Sequence, residues 1–338
     1  MNPAVLVWLE FAACLAVVGI AGPRLSRSGD AIADKTGLSG GWVGVVLIAT
    51  VTSLPELATG ISAVTVAGTP DIAVGDLFGS CVFNLAILFV LDFTQRGESV
   101  YRRVRQGHIL SAGFGVILIG FAGLSLMLHG HGASFAIGHV GGYTPVIFVL
   151  YALGMRAVFS YENDHREQAT EDAAARYPRL TLRSALITYA GAAVVIVAVG
   201  TALPFVAARL GEAMGWQRSF VGTLLVATVT SVPEVVVSIA AVRIGAADMA
   251  IANLLGSNLF NMLVLGIDDL LFARGPLLYH VSPVHAVSAM SAVIMSGIVI
   301  VGLVYRSDRR LLRTVGWISL GLFTMYLFNS YVLYLHGT

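Results

Sequence analysis

Long apolar runs, without strict alternation, dominate the chain. Ten of them approach or exceed the length of about 20 mostly apolar residues that crosses a bilayer. They lie near 3–22, 41–67, 71–93, 107–128, 140–158, 183–208, 217–243, 247–271, 284–304 and 311–335. None shows the alternating ten-residue pattern of a β-barrel, so the pattern predicts helices. A single long polar segment, Ser160 to Leu182, divides them five and five. Its Glu162, Asp164, Glu167, Glu171 and Asp172, mixed with arginines, read as a solvated linker.

Composition agrees with that pattern. The chain is 57% hydrophobic and 12% charged, where a soluble domain carries about 25% charge. A soluble core cannot use apolar surface on every side of every helix, and a bilayer can. The expected fold class is therefore an all-α polytopic membrane protein. The first span has no basic start, carries Glu10 and meets Gly22-Pro23 without a small-residue cleavage site, so it reads as a span and not a signal peptide. A net charge of +1 and the lack of a basic cluster give no reason to expect nucleic acid. Cys14 and Cys81 both fall inside spans and read as small packing residues. No cofactor and no protein partner is implied.

Orientation follows from the basic residues. The connections after odd-numbered spans, with the span ends that border them, hold seventeen Lys and Arg, and the others hold only Arg209, Arg218 and Arg274. That bias puts both termini outside and the 159–182 linker in the cytoplasm, with an inner (plasma) membrane as the expected location.

The chain is also written twice. Ala49-Thr-Val-Thr-Ser-Leu-Pro-Glu56 matches Ala227-Thr-Val-Thr-Ser-Val-Pro-Glu234 at an offset of 178. Asp71 to Ser80, with Phe83-Asn84, matches Asp248 to Ser257, with Phe260-Asn261, at 177. Five spans per half is an odd number, so the second half starts from the opposite side. The expected layout is ten transmembrane helices in two inverted five-helix repeats, 1–158 and 183–338, joined by 159–182. Inverted repeats with helices broken at matching places mark secondary transporters, with the ion site at their interface.

The best-matched stretch contains the chemistry. Thr52, Ser53 and Glu56 share one helix face. Pro55 has no N–H and disfavours the turn before it, which is expected to free carbonyls around Ala49 to Val51. A carboxylate, two hydroxyls and free carbonyls in one turn are the hard oxygen ligands that Ca2+ and Na+ take. Thr230, Ser231, Pro233 and Glu234 repeat the set. The next span of each half adds Ser80 with Asn84, and Ser257 with Asn261, beside Gly79 and Gly256, which permit close helix approach. Hydroxyls and a proline alone are ordinary features of membrane helices. A carboxylate at mid-bilayer costs about 2.5–3.5 kcal/mol on insertion scales, and away from the span ends neither motif span holds a Lys or Arg to neutralise it.

These segments resemble the paired α-repeats of the Ca2+/cation antiporter superfamily, most of all its sodium/calcium exchanger branch. The motifs cover 49–84 and 227–261, and the span layout extends the resemblance over nearly the whole chain. It implies that Glu56 and Glu234 are the Ca2+ ligands. It also implies that Thr52, Ser53, Thr230, Ser231, Ser80 and Ser257 serve Na+ sites with the carbonyls of Ala49 and Ala227, and that Asn84 and Asn261 complete the centre. Val51 and Val229 stand where the family usually has Gly, a change that bears on how the helix unwinds. Asn261 stands where K+-dependent exchangers place Asp, which argues against K+ co-transport.

The function expected is Ca2+ exchange for Na+, not an enzyme activity. Exchange of H+ for Ca2+ or another divalent cation is the competing reading, since the same glutamates can carry protons. An intramembrane hydrolase using Ser257 is a distant third, because it lacks a nearby base. Other acids are read as follows. Asp76 is either a third-site or access-path acid, or an acid near the surface bonded to backbone. Asp92 and Asp269 are helix-end acids, and Glu10 is left open. His129, His131, His139, His280, His285 and His336 are read as surface residues.

Overall fold

The computed structural model describes residues 3–36, 49–94, 99–102, 104–105, 107–129, 135–164, 180–243, 245–306, 310–311 and 315–337. Residues 41–48 of the second predicted span, His131, and 165–179 of the linker lie outside these. The protein is nearly all helix. Among the described residues eight helices are long and apolar enough to cross a membrane: α1 (Pro3–Thr36), α3 (Pro70–Thr94), α4 (Gly107–His129), α5 (Tyr143–Asp164), α6 (Leu182–Met214), α9 (Ala247–Leu271), α10 (His285–Tyr305) and α11 (Trp317–Gly337). Between them lie α2 (Leu54–Ala67), which ends on a π-helical turn, and the broken pair α7 (Arg218–Thr230) and α8 (Val232–Arg243), bent by 45°. Two small hairpins, β1–β2 (Ala136–Ile137, Val140–Gly141) and β3–β4 (Arg310–Leu311, Val315–Gly316), precede α5 and α11.

Boundaries follow the apolar runs closely, with one correction. α1 does not stop at Gly22-Pro23 but continues to Thr36. Proline at that point is tolerated within a packed membrane helix. At 34 and 33 residues, α1 and α6 are each about 50 Å long at 1.5 Å per residue, well beyond a hydrocarbon core of about 30 Å, so tilt or projection is required. They lie mainly against each other, and Glu10 of α1 pairs with Arg209 of α6.

Two apolar clusters divide the protein. One gathers α1, α6 and α7 around Val18, Leu25, Ile196, Leu203 and Val229. The other binds α3, α4, α9 and α10 around Phe78, Leu88, Leu118, Leu254 and Met295. The central helices are α3 and α9, with 78% and 83% of their spanning windows buried, against 22% for α1, α5 and α11. Helices α2, α7 and α8 fill the space between the clusters and carry the repeated motif.

Acids at helix ends tie the bundle together as the sequence suggests. Asp269 accepts from Gly141 N at 2.8 Å, Tyr143 Oη at 2.6 Å, Thr144 Oγ1 at 2.5 Å and Leu277 N at 2.6 Å. Asp92 accepts from Ser99 Oγ, Val100 N, Gly316 N and Ser319 Oγ. Asp269→Ala would strand four buried donors, and even one such group costs about 1–3 kcal/mol. The expected outcome is a clear drop in the melting temperature of the purified protein, measured by thermal unfolding in detergent.

The histidine reading is corrected at one position. His285 is fully buried, and its Nε2 lies 3.1 Å from Asp71 Oδ1. His108 and Asp248 form the matching pair at 2.9 Å. Both pairs recur at the 177 offset and join the start of one motif helix to a helix of the other half. Cys81 is buried in the core and Cys14 is half-buried, and both are free thiols.

Candidate cation site

The two motif breaks fall at the same residue. Ser53 has φ −89° and ψ 16°, and Ser231 has φ −83° and ψ 7°, the sparsely used bridge region between helix and strand. Prolines 55 and 233 explain the position, since neither can donate to the carbonyl four residues earlier, Val51 or Val229. This corrects the expectation for Ala49 and Ala227. Their carbonyls keep helical donors, Ser53 N and Ser231 N, each at 3.1 Å. They also lie 3.1 and 3.3 Å from Thr52 Oγ1 and Thr230 Oγ1.

The breaks bring the two halves together. Ser53 donates to Glu234 Oε1 at 3.0 Å, and Ser231 donates to Glu56 Oε1 at 3.3 Å. Each glutamate is therefore held by the serine of the other half. Ser257 also donates to Glu234 Oε1 at 3.2 Å, and Ser231 reaches Ser80 at 3.0 Å. Both glutamates are fully buried. The second oxygen of each, Oε2, has no hydrogen-bond partner among the described residues.

One helix layer away, Asn84 Nδ2 donates to Asn258 Oδ1 at 3.0 Å, and Asn258 Nδ2 donates to the Cys81 carbonyl at 3.2 Å. Asn84 Oδ1 and Asn261 Oδ1 are left unpartnered. The predicted Ser80, Ser257, Asn84 and Asn261 are all fully buried. Close approach rests on glycine as expected. A Cβ on Gly256 would stand 2.9 Å from Ala49 Cβ, and one on Gly79 would stand 2.8 Å from Ala227 Cβ.

The threonines occupy equivalent places. Thr52 Oγ1 lies 3.2 Å from Asn253 Oδ1, and Thr230 Oγ1 lies 2.8 Å from Asp76 Oδ1. Asp76 is fully buried and bonded to side chains, which overturns its reading as a surface acid bonded to backbone. Val51, where the family usually has Gly, packs both methyls against Gly29 of α1, 3.4 Å from where a Cβ would be. Its bulk is absorbed by the long helix.

Sequence reading missed Asn253, Asn258 and Asp268. The first two lie inside the second motif, at mates of Asp76 and Cys81. Their polarity at a repeat position was the available signal. Asp268 lies past the motif and had none.

Buried carboxylate, amide and hydroxyl oxygens converge where helices break in the middle of an apolar bundle. Among the described residues no salt bridge reaches either glutamate. Such an arrangement defines a membrane transporter for cations. The comparisons agree. The family model described as sodium/calcium exchanger protein matches residues 6–159 and 184–332. The inner membrane protein YrbG of Escherichia coli (strain K12) is 26% identical over 231 residues, covering 68% of this chain and 69% of YrbG. The H+/Ca2+ exchanger CAX shares the fold with a TM-score of 0.70 at 15% identity, over 97% of this chain and 84% of CAX. The sodium-calcium exchanger NCX_Mj, soaked with Na+ and Sr2+, gives 0.61 at 20% identity, over 96% and 97%. The chain belongs to the sodium/calcium exchanger family, within the Ca2+/cation antiporter superfamily. The family and the fold are those of transporters.

Proposed function

We propose that the protein exchanges Ca2+ for Na+ across the membrane by alternating access, with Glu56 and Glu234 as the Ca2+ ligands. One observation carries this reading: two buried carboxylates, each held at one oxygen by the opposite half and each with its other oxygen unpartnered. Ca2+ takes six to eight oxygens, and Asn84 Oδ1 and Asn261 Oδ1, on the neighbouring helices α3 and α9, are further buried acceptors without a partner among the described residues. Several Na+ ions would instead spread over the carboxylates, the hydroxyls of Thr52, Ser53, Ser80, Thr230, Ser231 and Ser257, and the Ala49 and Ala227 carbonyls once the Thr52 and Thr230 hydroxyls turn from them to the ions. Competition for shared ligands couples the two fluxes. No cofactor enters this cycle. H+/Ca2+ exchange is the competing reading. It would leave the Thr52 and Thr230 hydroxyls to their hydrogen bonds alone, with no part in binding a transported ion.

The same reading takes the chain as two inverted five-helix repeats, 1–158 and 183–338, with ten spans, both termini outside and the 159–182 linker in the cytoplasm. The paired contacts at constant offset support the repeat, and the basic-residue bias supports the orientation. A reporter fused to the C-terminus should be active only outside. Activity on the cytoplasmic side would reject the topology.

Asn261 is neutral, so K+ has no dedicated charge partner in this centre. Na+-driven Ca2+ flux should survive replacement of K+ by choline. Strict dependence on K+ would contradict the ligand set.

A further inference from the structure

The two halves build the same corner and fill it differently. At the end of α9, Asp269 binds Gly141 N, Thr144 Oγ1 and Leu277 N. At the end of α3, Asp92 binds their mates, Gly316 N at 3.1 Å, Ser319 Oγ at 2.8 Å and Val100 N at 3.2 Å. The offsets are 175 and 177. Around Asp269 the inside is taken by Tyr143, which is buried. Its ring lies where a side chain on Gly141 would stand, and its Oη accepts from Leu278 N at 2.9 Å. Around Asp92 the mate of Tyr143 is Ile318, and that of Leu278 is Tyr101. The exchange leaves a cavity of about 240 Å3, lined by Tyr101, Gly302, Tyr305, Gly316, Trp317 and Ile318.

Charge follows the cavity. The two segments that border it, 95–106 and 305–316, carry eight arginines against Glu98 and Asp308. Those eight are drawn from only twenty Lys and Arg in the whole chain. The matching segments around Asp269, 272–283 and 130–141, hold Arg274 alone. An orientation bias explains basic residues on one side of a membrane. It does not explain a cavity beside them.

Arg306 stands at the junction. It ends α10 with φ 49° and ψ 39°, the one non-glycine residue with positive φ among those described. Glycine adopts that conformation freely and arginine does not. The guanidinium turns back to the loop after α3. Its Nη2 donates to the Val104 carbonyl at 3.1 Å, and its Nε donates to the Leu303 carbonyl at 3.3 Å. A guanidinium has five N–H groups, in a fork that matches a phosphate, so the same group can also hold an anion. Arg105, next to Val104, pairs with Glu162 at 3.6 Å. On either side of the cavity mouth Tyr305 and Trp317 are exposed. Helix α11 is peripheral, with 22% of its spanning window buried, so these rings meet lipid. Tyr and Trp placed in this way sit at the level of the headgroups.

We propose that this cavity binds one anionic phospholipid, with its phosphate on Arg306 and the start of an acyl chain between Tyr305 and Trp317. Basic pockets between helix ends suit anionic headgroups. A soluble anion would use the charge and leave the exposed rings unused, which favours a lipid as the source. On the orientation proposed above, the leaflet is the cytoplasmic one. The site itself depends neither on that orientation nor on which ions are exchanged.

The test is lipid retention by the purified full-length protein, read by native mass spectrometry during titration with phosphatidylglycerol or with phosphatidylcholine of the same chains. The wild type should retain one phosphatidylglycerol about fivefold or more tighter than phosphatidylcholine, and added glycerol phosphate should not displace it. Arg306→Gly suits the backbone at that position, so it should keep the melting temperature while losing about fivefold in that preference. Ile318→Tyr copies the mate Tyr143, fills the cavity and should reduce retention by a separate route. Arg218→Gln, outside the cavity, should retain lipid as the wild type does. Equal retention of the two lipids by the wild type would overturn the proposal, as would wild-type retention in both cavity variants. Displacement by glycerol phosphate, or a loss in Arg218→Gln as large as in Arg306→Gly, would overturn it too.

Discussion

Replacing either Glu56 or Glu234 with glutamine is expected to abolish Ca2+ exchange. The substitution keeps the shape and one carbonyl oxygen, so Ser231 or Ser53 can still donate. What it removes is one of two negative charges facing a divalent ion in a site with no solvent exposure. Breaking a buried ion pair costs about 3–5 kcal/mol. That is roughly a hundredfold to a thousandfold or more in affinity, at about 1.4 kcal/mol per factor of ten. The measurement is Ca2+ flux into proteoliposomes, with Ca2+ binding to the purified variants alongside. Near-normal flux in either variant would mean that the charges balancing Ca2+ lie elsewhere.

A second large effect is expected from Gly200, through motion and not through ligands. Alternating access needs α1 and α6 to move against the helices that carry the motifs. Two glycines mark where they touch. A Cβ on Gly22 of α1 would stand 2.6 Å from the Pro233 ring. One on Gly200 of α6 would stand 2.6 Å from Ala58 Cβ and 3.3 Å from the Pro55 carbonyl. These contacts are mates at the 178 offset, and each sets a long helix directly on the proline of a motif. Gly200→Leu would wedge that contact apart. Overpacking costs about 1–3 kcal/mol, enough to slow exchange roughly tenfold if it falls on one conformation. Glu56 and Glu234 are untouched, so Ca2+ binding should stay within a few-fold of wild type. Equal losses of binding and flux would point to a damaged site, and unchanged flux would place the moving surface elsewhere.

Much of this protein is legible in its sequence because the bilayer simplifies the problem. Apolar length alone locates α3, α4, α9 and α10 to within a few residues. The motif breaks are legible because Pro55 and Pro233 remove a donor at a fixed position. The glutamates stand out because an acid in a span demands a partner. Other features depend on what faces what. Helix α1 outruns its apolar stretch because its later turns are polar, and nothing at Gly22-Pro23 signals that Pro233 packs there. His285 looks like a loop residue until Asp71 is brought beside it. In that case the recurrence of both His and Asp at 177 was already present in the chain. Asp268 stands opposite an apolar mate, Leu91, and outside both motifs, so only the helix crossing that sets its carboxyl against Gly60 reveals it. The Ala49 and Ala227 carbonyls keep their helical donors because a proline removes the donor to the carbonyl four residues back, which frees the carbonyls of Val51 and Val229 instead.

Coupling to Na+ is read from Ca2+ uptake into Na+-loaded proteoliposomes, at fixed pH and clamped membrane potential. Uptake should rise with the outward Na+ gradient, collapse when an ionophore dissipates it, and lose Na+ dependence when Thr52 and Thr230 are both changed to Val. Uptake that ignores the Na+ gradient and follows an imposed pH gradient would contradict that coupling.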